Sequence, residues 1–103
     1  MIFTIIARKW FEKLNGNTYH STEVYKNGVL LERVPFQYGY GKQWDQTAAQ
    51  VIARQCPRLW KNANKKAYPN GSKYSLAYGS DIARYTKHKV ITSVTDVTRR
   101  KDL

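Results

Sequence analysis

At 103 residues the chain is long enough for one domain with a single modest core. Its hydrophobic content of 42% argues for a folded chain over a disordered one. Lys and Arg number 18 against 7 Asp and Glu, and the net charge of +11 points to a polyanionic partner: nucleic acid, an acidic protein or an anionic membrane.

A lone cysteine, Cys56, excludes an internal disulfide and any all-cysteine metal cluster, and it fits a reducing compartment. The opening apolar run carries its charges after it, at Arg8 and Lys9, and falls short of the roughly 20 residues that a bilayer span needs. It reads as a strand and not as a signal peptide, so the expected location is the cytoplasm, with no membrane partner.

Residues 2–12 form the first predicted strand. Ile2, Thr4, Ile6, Arg8 and Trp10 share one face, and Phe3, Ile5, Ala7, Lys9 and Phe11 share the other. Both faces begin apolar and end mixed, as in a central strand whose far end reaches solvent. A turn at 14–17 leads into 18–26. Asn27-Gly28 then stands between two β-prone runs, and this pair is a strong hairpin signal because both turn residues need φ > 0. A two-residue turn sets Lys26 opposite Val29, Tyr25 opposite Leu30 and Val24 opposite Leu31. The first three strands therefore make an antiparallel meander. Pro35, with no N–H for a ladder, ends the third strand or marks it as an edge.

Tyr38, Gly39, Tyr40 and Gly41 make a connector. Beyond it Trp44, Ala48, Val51, Ile52, Leu59, Trp60 and Ala63 recur at spacings of three and four, which is helical. Pro57 divides this stretch, giving helices at about 43–55 and 57–66. Residues 68–72 are a turn cluster. Residues 73–78 read as a short strand, and Gly79, Ser80 and Asp81 cap one helical turn through Tyr85. Residues 87–98, rich in β-branched side chains, form the last strand. The fold class is α+β: an antiparallel sheet of four to five strands, with the 43–66 segment packed on one face. One domain spans 1–98, and a basic tail at 99–103 is expected to fray. The inner helix side, including Trp44, Val51 and Ile52, is expected to meet Ile2, Ile6, Val24 and Leu31.

Arg54, Arg58, Lys61 and Lys65 follow at spacings of four, three and four, so one helix face is basic. Lys66 and Lys73 extend it. A solvated face usually mixes signs, yet no acid stands between Asp45 and Asp81, which favours phosphate contact. A second basic group, Lys87, His88 and Lys89 with Arg99, Arg100 and Lys101, flanks the two ends of the last strand. Tyrosines lie among the charges, Tyr68, Tyr74, Tyr78 and Tyr85 in the second half. Tyr38 and Tyr40, flanked by glycines, are the best exposed candidates for base stacking.

Enzyme signatures are weak. His20 and His88 lie in no metal, nucleophile or redox motif, and no phosphate-binding Gly-Lys-Ser/Thr loop occurs. Cys56 reads as an inert thiol, and a His20–Glu23 or His20–Glu32 pair fits strand alternation poorly. No cofactor, metal or catalytic residue is expected.

Residues 17–50 contain Asn-Thr-Tyr-His-Ser, Val-Tyr-Lys-Asn-Gly and Phe-Gln-Tyr-Gly-Tyr-Gly-Lys-Gln-Trp-Asp-Gln-Thr-Ala-Ala. With the preceding Arg8-Lys9-Trp10-Phe11, these resemble small uncharacterised proteins encoded by tailed bacteriophages, over roughly the first half of the chain. The resemblance implies a phage product acting in the bacterial cytoplasm and assigns no activity or site residues.

The leading expectation is a small basic phage protein that binds nucleic acid. Arg54, Arg58, Lys61, Lys65, Lys66 and Lys73 would hold phosphates, and Tyr38 and Tyr40 would stack bases. The alternatives are a stoichiometric inhibitor of a host defence complex, such as an anti-CRISPR protein meeting an acidic surface, and capture of a signalling nucleotide.

Overall fold

The structure is a computed structural model that describes residues 1–70 and 75–103. Three long strands come first in the chain: β1 (Ile2–Glu12), β2 (Asn17–Lys26) and β3 (Val29–Tyr38). They make the expected antiparallel meander, with Lys26 opposite Val29 and Tyr25 opposite Leu30. Asn27 and Gly28 have φ of 50° and 81°, the positive pair that a tight hairpin turn requires. Past the turn the register shifts. Leu31 bulges, so Val24 faces Glu32 and not Leu31. A second shift accompanies Pro35, and β3 continues through it to Tyr38 as an edge strand.

β4 (Lys89–Val97) adds to the other side of β1, giving the order β3-β2-β1-β4. It runs parallel to β1, so the sheet is mixed. The reason is topological. β3 ends where β1 ends, and the helical segment carries the chain back across the sheet before β4 begins. The strand expected at 73–78 does not form over Ser75–Tyr78, which are irregular; its first two residues lie outside the described residues.

α1 (Gln43–Gln55) and α2 (Pro57–Ala67) match the two expected helices. Cys56 between them has φ −133° and ψ 63°, outside the helical region, and Pro57 takes the first turn of α2. A 3-10 turn at Gly79–Asp81 leads into the short α3 (Ile82–Tyr85). Asp45, buried in α1, accepts hydrogen bonds from the Ser80 N–H and hydroxyl and so ties this turn to the first turn of α1.

The helices cover one sheet face. There Phe3, Ile5, Ala7 and Val24 are buried against Trp44, Ala48, Val51, Ile52, Ala63 and Ile82. The expectation that Ile2 and Ile6 face the helices is wrong by one residue in parity. Both faces of β1 start apolar, so alternation alone cannot choose between them. The partner strand decides it: Val24 lies opposite Ile5 and takes Ile5, not Ile6, to the helix side.

The open face carries Trp10, Tyr19 and Phe36 as a cross-strand row, with ring centroids 5.8 Å and 4.7 Å apart. The C-terminal residues do not fray as expected. They form a 3-10 turn at Arg100–Asp102 that reaches β3 over this open face. The Arg100 guanidinium sits 4.4 Å from the Phe36 ring centroid, and Arg33 donates to the Leu103 carbonyl at 2.8 Å.

This face assignment has a direct test. Ile5 is fully buried and Ile2 is 42% exposed. Ile5→Ala should cost about 2–5 kcal/mol and Ile2→Ala under about 1 kcal/mol, read from urea midpoints.

Candidate anion-binding groove

The break at Cys56 decides where the basic residues go. α1 runs back along the sheet and ends beside β3, where Arg54 meets Glu32 at 2.6 Å and Gln55 donates to the same carboxylate. These hydrogen bonds, Arg54 first, hold the Glu32 carboxyl below its usual pKa. Arg54 is therefore engaged within the protein. The basic stripe is not continuous across Cys56, because α2 starts afresh there.

On α2, Arg58, Leu59, Asn62, Lys65 and Lys66 share a face. It forms one wall of a groove of about 810 Å³ at the end of the sheet. The opposite wall is Lys26, from the end of β2, with Tyr85, Lys87 and His88 from the segment between α3 and β4. Cys56 and Pro57 also line it. The sheet register assembles this wall. Phe3 is opposite Lys26 on one side and Val90 on the other, and the Lys89 N–H donates to the Met1 carbonyl. Strand pairing alone thus sets Lys26 and Lys87 at the same sheet end.

Arg58, Lys65, Lys66, Lys26 and Lys87 supply five positive side chains, and no Asp or Glu lines the groove among the described residues. None of the five is in an ion pair with a described residue. Four of the seven Asp and Glu are in ion pairs elsewhere: Glu23 with Arg8 and Arg33, Glu32 with Arg54, Asp96 with Lys9 and Asp102 with Arg99. The groove thus gathers positive charge that no ion pair among the described residues offsets.

The floor has a different character. Cys56, Leu59 and Tyr85 are partly buried and pack on the core from one side while lining the groove from the other. His88 stands edge-on to Phe3 with ring centroids 6.2 Å apart. Burial lowers its pKa, and the positive first amino group and Lys26 lower it further, all favouring the neutral imidazole.

The other sequence candidates fall elsewhere. Lys61 is exposed on α2 but does not line the groove. Lys73 lies outside the described residues. Tyr38 and Tyr40 are exposed as expected, at 58% and 70%. Tyr38, however, pairs with Tyr19, seven residues along β2 from Lys26. At ~3.3 Å per residue this separates the tyrosines from the groove by about 23 Å, so they are not part of the same pocket. Lys26 and Lys87 are the groove residues that the helical stripe omits. Their only sequence signal is charge.

His20 is a structural residue. It is buried, with Nε2 2.7 Å from the Thr47 hydroxyl and Nδ1 3.3 Å from the Gly39 carbonyl. The carbonyl can only accept, so the network assigns the proton to Nδ1, and Thr47 donates to Nε2. This bond pins the connector to α1. Gly39 has φ 152° and a Cβ there would lie 2.6 Å from that of Gln43, so only glycine fits. Neither Glu23 nor Glu32 contacts His20; both are held by arginines.

No group of His, Cys, Asp and Glu among the described residues could hold a metal ion, and no described helix is long and apolar enough to cross a membrane. Comparison with protein-family models, curated proteins and solved structures finds no match to this chain.

Burial lowers the His20 pKa against a smaller raising effect of its bond to Gly39. The unfolded chain, with a histidine pKa near the usual ~6.5, therefore takes up its proton first as pH falls. His20 should contribute full stability above about pH 6.5 and progressively less below it, down to its lowered folded pKa. The thermal midpoint should drop between about pH 7.5 and pH 5.5, and His20→Gln should make that drop smaller. An unchanged drop would assign the pH response to other groups.

Proposed function

We propose that this protein binds nucleic acid, with backbone phosphates held in the groove between α2 and the Tyr85–His88 segment. One observation carries this reading: five Lys and Arg side chains line a single groove with no carboxylate among its described residues. An exposed cluster of like charges repels itself, and a polyanion relieves the repulsion while releasing its own condensed counterions. The lack of ion pairs on the groove lysines among the described residues supports the reading further, since Glu23 and Glu32 are taken by Arg8, Arg33 and Arg54.

The phosphate residues are then Arg58, Lys65, Lys66, Lys26 and Lys87. Arg54 is engaged by Glu32. Tyr38 and Tyr40 lie too far away to stack on a base held by the same phosphate contact. The chemistry requires only neutralisation and positioning, so the role is binding, with no bond made or broken.

Affinity for short DNA and RNA across a salt series tests this. Removing each phosphate contact lowers the log-log salt slope by about 0.7–0.9. Arg58→Ala/Lys65→Ala/Lys66→Ala should reduce the slope by roughly two to three units. Arg54→Ala/Lys61→Ala should change it by less than about one unit. Equal slopes for the wild type and the groove variant would contradict the proposal. Saturable binding to an acidic host protein, with only weak nucleic-acid affinity at physiological salt, would favour the inhibitor reading in its place.

A further inference from the structure

We infer that the groove takes one unpaired nucleotide, with its phosphate on the Lys and Arg wall and its base on the apolar floor. This rests on the phosphate-binding reading of the groove and goes beyond it by naming the ligand unit. The floor is the observation that carries it. A surface that only held duplex phosphates would need charge and nothing beneath it. Here Leu59, Tyr85 and Cys56 continue the core into the groove, behind the rim of cations. An inorganic anion leaves that apolar surface wet. A nucleoside phosphate covers it with a flat ring while its charge stays at the rim.

Size agrees with this assignment. The groove volume of about 810 Å³ lies within the range of small-ligand sites, roughly 300–1,000 Å³. Shape discriminates between duplex and single strand. A duplex keeps its bases stacked inside and offers phosphates on a convex surface, so it touches the rim and does not reach Leu59 or Cys56. An unpaired nucleotide can turn its base inward. The same chemistry belongs to a free nucleotide and to an unpaired position in a strand.

Calorimetric titration of the whole chain at fixed ionic strength separates the possibilities. The probes are the four nucleoside triphosphates, inorganic tripolyphosphate, a ten-nucleotide single strand and a duplex of the same sequence. At least one nucleoside triphosphate should bind about tenfold more tightly than tripolyphosphate, the added affinity coming from base contact. Leu59→Gln, which keeps the cations and nearly the same side-chain length, should weaken nucleoside triphosphate binding more than tripolyphosphate binding and so remove that difference. A thermal melt confirms that this variant is folded.

Cys56, the only thiol, locates the ligand. Its alkylation by iodoacetamide should slow roughly fivefold at a nucleotide concentration about four times Kd, because only the free fraction reacts. Free nucleotide as tight as the single strand identifies a free nucleotide as the ligand. A single strand that binds far more tightly identifies an unpaired strand. Equal binding of tripolyphosphate and nucleotide, of duplex and single strand, or an unprotected Cys56 overturns the inference while the phosphate groove stands. Absence of binding by every probe overturns both.

Discussion

Parallel pairing of β4 with β1 is the constraint on which the groove depends. The first three strands leave the chain at the far end of the sheet, and a fourth strand parallel to β1 must start at the near end. The connection has to return across one face, and α1 makes that return, its apolar side buried on Phe3, Ile5 and Val24. The break at Cys56 and Pro57 then directs α2 toward the sheet end where Met1 and Lys26 lie. The approach to β4 brings Tyr85, Lys87 and His88 to the same place. Three segments distant in sequence form two walls because the ladder register permits little else.

Charge is distributed with equal consequence. Glu23 sits on the open face between Arg8 and Arg33, and Glu32 is bound by Arg54. These pairs are partly exposed, and each contributes little to stability. They take up Arg8, Arg33 and Arg54 and leave the groove cations without an ion pair among the described residues. Five of the 18 Lys and Arg line the groove, and others such as Lys13, Lys42, Lys61 and Lys89 carry positive charge elsewhere on the surface. The open face, with its row of Trp10, Tyr19 and Phe36, is bridged by the chain's own C-terminal turn through Arg100 and Leu103.

Much of the fold is legible in the sequence. The Asn27-Gly28 turn, the helical spacing from Trp44 onward and Pro57 as the divider each act through local backbone preference, and each takes the expected form. The face of β1 is not legible, because Ile2, Phe3, Ile5 and Ile6 make both sides apolar and the choice falls to Val24 across the ladder. The parallel entry of β4 is likewise a property of the whole chain path. The same division holds at the groove. Arg58, Lys65 and Lys66 follow from helical periodicity, whereas Lys26 and Lys87 join them only through long-range strand pairing. Arg54 fits the helical stripe, yet its charge is matched by Glu32 from another strand. Tyr38 and Tyr40 are exposed for the local reason expected of them, but the length of β2 keeps them from the cations.

The measurement that tests the central claim most directly is amide chemical-shift mapping of the isotope-labelled chain during titration with a short single strand. The account predicts that the largest shifts fall on 58–66, on 85–88 and at Lys26, and that the ends of β2 and β3 near Tyr19 and Tyr38 stay unmoved. Shifts centred on Tyr38, Tyr40 and Arg100 would place binding on the open face and contradict it.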